Sequence, residues 1–146
     1  MANPKIYIIE DDADLLYGLE SQFAADEFEV ATSTGEEDLD ETVKDLQEFA
    51  PDYLILDLIL PKVDGFEIIK KIKADDELRD LQIFIFTDLS DEDSRQRSLQ
   101  LGADYVFLKD EFDTYEFSEK VKRIIGNQSK AKNVDEESGT DEWDGE

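Results

Sequence analysis

The sequence predicts an α/β fold, a three-layer doubly wound (βα)5 sandwich around a five-stranded parallel sheet. The first observation behind this prediction is an alternation, repeated five times, of short runs that are apolar on both faces with stretches of helical periodicity. Such runs are typical of parallel strands that helices cover on both sides of the sheet. The second observation is size, since 146 residues with 40% hydrophobic residues suit one domain with one core.

The strands are predicted at five short apolar runs, residues 5–10, 28–32, 53–56, 82–86 and 105–108. The helices are predicted at residues 14–25, 36–49, 66–73, 91–101 and 113 to about 125. Ser90 and Asp113 are predicted to cap the last two helices, because each has an acidic residue three positions later. Gly102 and Gly126 are predicted to end those helices.

The C-terminal residues differ in composition from the rest of the chain. Residues 127–146 contain two Lys, seven acidic residues and almost no apolar side chains apart from Val134 and Trp143. Such a segment cannot bury enough surface to offset the entropy of ordering it. We therefore expect a folded domain at residues 1–126 and a disordered acidic tail at residues 127–146, with no output domain in that tail.

The composition excludes several kinds of function. A formal net charge of -25 argues against direct binding to nucleic acid or to an anionic membrane. The absence of Cys and His removes disulfides, thiolate metal sites, a cysteine nucleophile and a phosphohistidine. No apolar run has the length of a membrane span and the N-terminus has no secretory pattern, so the expected location is cytoplasmic.

Carboxylates collect at the ends of two predicted strands. The first strand ends in Glu10, Asp11 and Asp12, and the third ends in Asp57. In an open parallel sheet, ligands bind beyond the carboxyl ends of the strands. If the first and third strands are neighbours, these carboxylates converge and require a hard cation. Oxygen ligands without His or Cys suit Mg²⁺ or Mn²⁺.

The fourth and fifth strands contribute different chemistry at the same edge. The fourth ends in Thr87 and the fifth in Lys109. A metal beside Asp57 leaves that carboxylate able to attack an electrophilic phosphorus. The metal, the Lys109 ammonium and the Thr87 hydroxyl could then each bind one phosphoryl oxygen.

Four segments carry a resemblance to a known family: IYIIEDD, LILDLILPKVDGFE, IFIFTDLSDED and GADYVFLKD. In these segments the chain resembles a response regulator receiver domain of two-component signalling. The resemblance is to the single-domain, chemotaxis-regulator-like type, and it extends over residues 5 to about 125. The second segment is the most specific, because Pro61 and the pair Asp64–Gly65 follow the strand-end Asp57. The resemblance implies a sheet of strand order 2-1-3-4-5.

The resemblance also implies a role for each site residue. Asp57 would be the phosphorylation site and a metal ligand, Asp11 would bind the metal directly, and Glu10 would complete the acidic pair. The backbone carbonyl of Ile59 would be a further metal ligand. The remaining catalytic residues would be Thr87, as the switch hydroxyl, and Lys109, as the phosphate-binding lysine.

The implied function is a phosphoacceptor that catalyses only its own phosphorylation and dephosphorylation. Its partners would be a sensor histidine kinase or a histidine phosphotransfer protein, and a downstream protein target. The target would contact the face of the fourth helix, the fifth strand and the last helix. In the family, the residues two beyond the phosphorylated Asp and the switch Thr flank the path of the hydrolytic water. Here these are Ile59 and Leu89, so hydrolysis is expected to be slow.

Three positions depart from the family pattern. Asp88 replaces a small residue, and it either points to solvent or brings negative charge near the phosphoryl group. Asp110 replaces a frequent cis Pro, so a trans bond is expected there. Val106 replaces the aromatic switch residue, while the flanking Tyr105 and Phe107 are expected to pack in the core.

Two alternatives compete with the phosphoacceptor. One is a receiver-like binding module that is not phosphorylated and acts only through protein contacts. The other is a metal-dependent phosphohydrolase, which commonly has a second carboxylate two residues after the nucleophile, where this chain has Ile59. The complete set of strand-end residues favours the phosphoacceptor.

Overall fold

The computed structural model describes residues 3–133 and contains one parallel sheet. Its five strands lie in the order β2-β1-β3-β4-β5, as predicted. The strands are β1 (Lys5–Ile9), β2 (Glu29–Ser33), β3 (Tyr53–Leu56), β4 (Gln82–Thr87) and β5 (Tyr105–Leu108). All four pairings are parallel, so the carboxyl ends of β1, β3, β4 and β5 lie along one edge.

Five helices cover the two faces of this sheet. They are α1 (Ala13–Ala25), α2 (Leu39–Phe49), α3 (Gly65–Ala74), α4 (Glu92–Leu101) and α5 (Thr114–Asn133). The side chains of α1 and α5 join one hydrophobic cluster, and those of α2, α3 and α4 join the other. The three-layer arrangement predicted from the sequence is confirmed. None of the described helices combines the length and the apolar character that crossing a membrane requires.

The strands form a sheet with two cores because their alternate residues are apolar on both faces. In β1, Ile6 and Ile8 belong to the α1/α5 cluster, while Tyr7 and Ile9 belong to the opposite cluster. Phe86 of β4 is 1% exposed and stacks on a phenylalanine of α5. Full burial of one such side chain contributes about 1.5–3 kcal/mol, so the two clusters hold the strand ends in place.

Helix capping agrees with the predictions only in part. Asp113 accepts from the Glu116 N–H at 2.8 Å and donates its own N–H to the Glu116 carboxylate at 3.0 Å, which confirms this capping box. The predicted cap at Ser90 is wrong, because Asp91 accepts from the Ser94 N–H at 3.0 Å and begins α4 one residue later. Gly102 ends α4 with a φ of 124°, as predicted.

The predicted end of the last helix at Gly126 is wrong, since α5 continues to Asn133. In the described part of the chain, nothing lies within 4 Å of the position where a Cβ would stand at Gly126, and the backbone of this residue stays helical. A glycine costs a helix interior only about 1 kcal/mol and does not end it without a left-handed turn. Residues 127–133 are therefore helical, and the predicted disorder of the remaining tail concerns residues 134–146, outside the described part.

Candidate functional site

Two carboxylates are buried side by side at the carboxyl edge of the sheet. Glu10 follows β1 and Asp57 follows β3, and these strands are neighbours. The Asp57 N–H donates to the Ile9 carbonyl at 3.1 Å, which continues the strand pairing up to the site. Glu10 is 1% exposed and Asp57 is 3% exposed. Two buried carboxylates require compensating positive charge.

Asp11 brings a third carboxylate to this edge. Oxygen atoms of Glu10, Asp11 and Asp57 all lie within 4.8 Å of one another. Asp11 is exposed and the other two are buried, so the group opens towards solvent on one side. This donor set, three carboxylates without nitrogen or sulfur, fits a hard divalent cation. Asp12 has another task, because its Oδ1 accepts from the N–H groups of Asp14 and Leu15 and caps α1.

Lys109 supplies the positive charge within the protein. Its Nζ lies 2.8 Å from Asp57 Oδ2 and 2.9 Å from Glu10 Oε1. The residue follows edge strand β5, and its backbone N–H donates to the Thr87 carbonyl at 2.9 Å. The sequence predicted this lysine as a phosphate ligand, and the structure adds its contact with Glu10. One ammonium therefore neutralises part of the charge of two buried carboxylates.

Burial and charge shift the pKa values of this group. Burial raises the pKa of Glu10 to about 7, although the Lys109 hydrogen bond lowers it, and the Asp57 charge raises it further. Burial alone would lower the pKa of Lys109, but its hydrogen bonds to Asp57 and Glu10 outweigh burial and raise it. Lys109 is thus cationic at neutral pH, while the pKa of Glu10 lies well above the usual range of a carboxyl group.

We expect the free energy of unfolding to depend on pH through Glu10. Its pKa in the folded protein lies above the ordinary value of 4.5, so the folded state favours the protonated form. This contribution to stability is complete below about pH 4.5 and is lost as pH rises through 7. Carboxyl ¹³C titration of the metal-free protein should give an apparent pKa near 7 for Glu10. In Glu10→Gln, the free energy of unfolding should fall less between pH 4.5 and pH 7 than it does in the wild type.

Two hydrogen bonds connect the site to the loops beside it. Asp57 Oδ1 accepts from the Ile59 N–H at 3.2 Å. Thr87 is 0% exposed, and its Oγ1 accepts from the Leu89 N–H at 3.3 Å. Each oxygen-bearing side chain at a strand end thus positions the residue two places later. Any group that rearranges Asp57 or Thr87 acts on these loops directly.

The motif that follows Asp57 has a steric basis. A Cβ at Gly65 would lie 2.6 Å from Leu58 Cα and 3.0 Å from the Asp57 carbonyl oxygen. The Gly65 N–H donates to the Leu58 carbonyl at 3.1 Å, and Asp64 caps α3 by accepting from the Phe66 N–H at 2.8 Å. Only glycine lets the start of α3 approach the backbone of the candidate nucleophile this closely.

Gly65→Ala should destabilise the protein by about 1–3 kcal/mol, because the new methyl group collides with fixed backbone atoms. Gly126→Ala is the matched control, since its methyl group enters open space within a helix and should stabilise by about 0.5–1 kcal/mol. Urea denaturation of both variants measures the two effects. Equal stability of the two variants would contradict the steric account.

The departures from the family pattern have clear positions. Asp88 and Asp110 are exposed, and the Lys109–Asp110 bond is trans, as expected. Val106 joins the cluster on the α2–α4 side, whereas Tyr105 and Phe107 join the opposite cluster. Phe107 contacts two phenylalanine rings at centroid distances of 5.3 and 5.4 Å, which confirms the predicted core packing.

Sequence reasoning did not single out Arg97. Its guanidinium lies over the Phe66 ring, 4.1 Å from the centroid, and both residues line a groove beside the site. Arg97 lies on α4 and Phe66 on α3, so the contact depends on how two helices pack. No local motif could have indicated it.

Comparison with known proteins agrees with this geometry. The model of the response regulator receiver domain matches residues 6–122. The chain is 37% identical to the phosphate regulon transcriptional regulatory protein PhoB of Rhizobium meliloti (strain 1021), over 84% of this chain and 52% of that protein. The chain spans about half the length of the curated relatives it matches.

Solved structures give the same result. The phosphorylated cyanobacterial phytochrome response regulator RcpA superposes with a TM-score of 0.70 at 28% identity, covering 84% of this chain and 91% of that one. The BeF3-activated receiver domain of DrrB, from Thermotoga maritima, gives 0.71 at 26% identity, covering 85% and 98%. The chain belongs to the response regulator receiver family.

Proposed function

We propose that Asp57 is the phosphorylated residue and that it receives its phosphoryl group from a phosphohistidine of a partner. The observation that carries this proposal is the set of contacts around Asp57. Its carboxylate is buried beside Lys109 at 2.8 Å, and it shares a 4.8 Å cluster with Glu10 and Asp11. It is also the buried carboxylate that follows the central strand β3.

This geometry supports a direct transfer to Asp57. An Asp57 carboxylate oxygen forms a bond to phosphorus while the bond from phosphorus to the donor imidazole nitrogen breaks. The imidazole leaves with the bonding electron pair and takes up a proton. The Lys109 ammonium stays beside the acceptor and stabilises the charge on the phosphoryl oxygens. The Thr87 hydroxyl, which accepts from the Leu89 N–H in this structure, would turn to donate to a phosphoryl oxygen.

A divalent cation, Mg²⁺ or Mn²⁺, completes the proposed site. Glu10, Asp11 and Asp57 would hold it, with the Ile59 backbone carbonyl as a further ligand. When bound, the cation would neutralise charge on the transferring phosphoryl group. Within the protein, Asp11 is the exposed member of the cluster and the one through which the cation would enter.

The proposed partners are a sensor histidine kinase or a histidine phosphotransfer protein, and a downstream protein that reads the phosphorylated state in the cytoplasm. The domain would catalyse only its own phosphorylation and dephosphorylation. Incubation with a small phosphodonor such as acetyl phosphate tests the proposal. It should add one acid-labile phosphoryl group in Mg²⁺ and almost none in EDTA. Labelling that does not depend on the cation would contradict the proposed metal site.

The phosphorylated state should decay slowly, over many minutes without a phosphatase. Hydrolysis requires a water in line with the phosphorus. The Ile59 N–H donates to Asp57 and the Leu89 N–H donates to Thr87, so both residues lie beside the site. Their side chains are apolar, and neither can orient a water. Ile59→Asn and Leu89→Glu should each shorten the lifetime of the purified phosphoprotein.

The matched control for this prediction is Tyr115→Asn, which also removes an exposed apolar side chain but lies on α5, outside the β3–α3 and β4–α4 loops. Its decay should equal that of the wild type. Decay of the wild type within seconds would contradict the proposed exclusion of water.

A further inference from the structure

A groove of about 440 Å³ lies between the loop that joins β3 to α3 and the helix α4. Its apolar lining includes Ile59, Pro61 and Leu89, and its cationic lining consists of Lys62 and Arg97. Ile59 is 51% exposed, one of three large hydrophobic residues this open to solvent in the described part. A groove that combines an exposed apolar side chain with two cations is typical of a surface that a partner covers.

The groove has two positively charged side chains in its lining, although the protein as a whole is strongly negative. The chain has a net charge of -25, yet Lys62 and Arg97 face one opening. Among the described side chains, neither forms an ion pair within 4.0 Å. The carboxylate in the lining, Asp64, already accepts from the Phe66 N–H at the start of α3. The two cations are thus available for carboxylates of a partner.

The groove is also held in shape before any partner arrives. Arg97 stacks on Phe66 with 4.1 Å between its guanidinium and the ring centroid, so α4 and α3 are joined across the groove. A planar, stacked guanidinium loses little freedom when it binds a carboxylate. We propose that this groove binds an acidic peptide segment of a partner protein, with one large apolar side chain of the peptide against Ile59 and Leu89.

The walls of the groove are connected to the phosphorylation site. The Ile59 N–H donates to Asp57 Oδ1 at 3.2 Å, and the Leu89 N–H donates to Thr87 Oγ1 at 3.3 Å. Phosphorylation of Asp57, which rests on the proposed function, changes both acceptors and adds roughly one net negative charge nearby, because an acyl phosphate dianion replaces a carboxylate. The added negative charge disfavours an acidic peptide, while the changed acceptors act on both walls of the groove. The partner therefore binds the unphosphorylated form, and by linkage its binding opposes phosphorylation.

Fluorescence anisotropy with synthetic peptides tests the groove in the unphosphorylated protein. The probe is a short labelled peptide whose Glu and Asp residues flank a single Phe. It should bind saturably, more weakly at high salt, and about tenfold more tightly than versions with Ala for Phe or Lys for the acidic residues. Arg97→Glu should weaken binding about tenfold. Arg95→Glu, an equal charge change at another exposed position of α4, should leave it unchanged.

Ile59→Ser removes the apolar side chain at an exposed position and should also weaken binding. It provides a second test of the groove in case Arg97→Glu does not fold. Preference for the basic peptide, or equal binding by Arg97→Glu and Arg95→Glu, would overturn the groove proposal. Phosphorylation with acetyl phosphate should lower the affinity about tenfold. Equal affinity of fully phosphorylated protein would overturn the linkage. If Asp57 takes no phosphoryl group at all, the proposed function fails while the peptide result stands.

Discussion

Replacing Asp57 by Asn should abolish phosphorylation by a kinase or by acetyl phosphate. The amide has no carboxylate oxygen that can attack phosphorus, whereas its shape still fits beside Lys109. The fold should survive, because the change removes one of two buried carboxylates while Lys109 keeps Glu10 as a partner at 2.9 Å. Since the Asp57 charge contributes to the raised pKa of Glu10, that pKa should also fall. Radiolabelling and carboxyl ¹³C titration measure the two effects.

Asp12→Asn is the matched control for this substitution. Asp12 is acidic and close in sequence to Glu10, but its carboxylate caps α1, and Asn caps helices about as well as Asp. It should be labelled as the wild type is. Loss of labelling in both variants would mean that phosphorylation depends on the total negative charge at the carboxyl edge of the sheet rather than on Asp57 as the nucleophile.

Lys109→Gln should have the second largest effect, on both stability and phosphorylation. It leaves the buried carboxylates of Glu10 and Asp57 without their cation. Removing one partner of a buried ion pair costs about 3–5 kcal/mol. Phosphorylation should become about a hundredfold slower, because the cation beside the phosphoryl group is lost. Thermal unfolding and the initial rate of labelling measure these losses.

Two controls apply to Lys109→Gln: the pH dependence of its stability loss, and the removal of a lysine from an exposed ion pair. The loss of stability should be smaller at acid pH, where Glu10 is protonated and repels Asp57 less. Lys70→Gln removes a lysine whose contact with Glu67 is half exposed, and such pairs contribute only about 0–1 kcal/mol. If the two variants unfold at the same temperature at pH 8, the charge balance assigned to Lys109 is wrong.

The fold and the location of the site followed from the sequence because both depend on patterns. Runs that are apolar on both faces specify parallel strands, and parallel strands bring their carboxyl ends to one edge. With the first and third strands as neighbours, the sequence therefore predicts that Glu10 and Asp57 lie together, and in the structure both lie beside Lys109. The packing of the partly buried Tyr105 and Phe107 against the α1/α5 cluster agrees with the same alternation.

Other features depend on contacts that no local pattern contains. The Lys109–Glu10 contact joins residues 99 positions apart, and the pKa of Glu10 follows from burial that only the packed sheet defines. The helix α5 is longer than the sequence predicts, because Gly126 keeps a helical backbone and makes no turn there. Asp91 rather than Ser90 caps α4, since both are good caps and the loop geometry decides.

The central claim is that Asp57 is the residue that carries the phosphoryl group, and the most direct measurement is to locate that group. The protein is phosphorylated with acetyl phosphate in Mg²⁺, the acyl phosphate is reduced with borohydride, and the modified residue is identified by peptide mass spectrometry. The account predicts modification at Asp57 alone. Modification at Asp11, Asp12 or another carboxylate, with Asp57 intact, would contradict it.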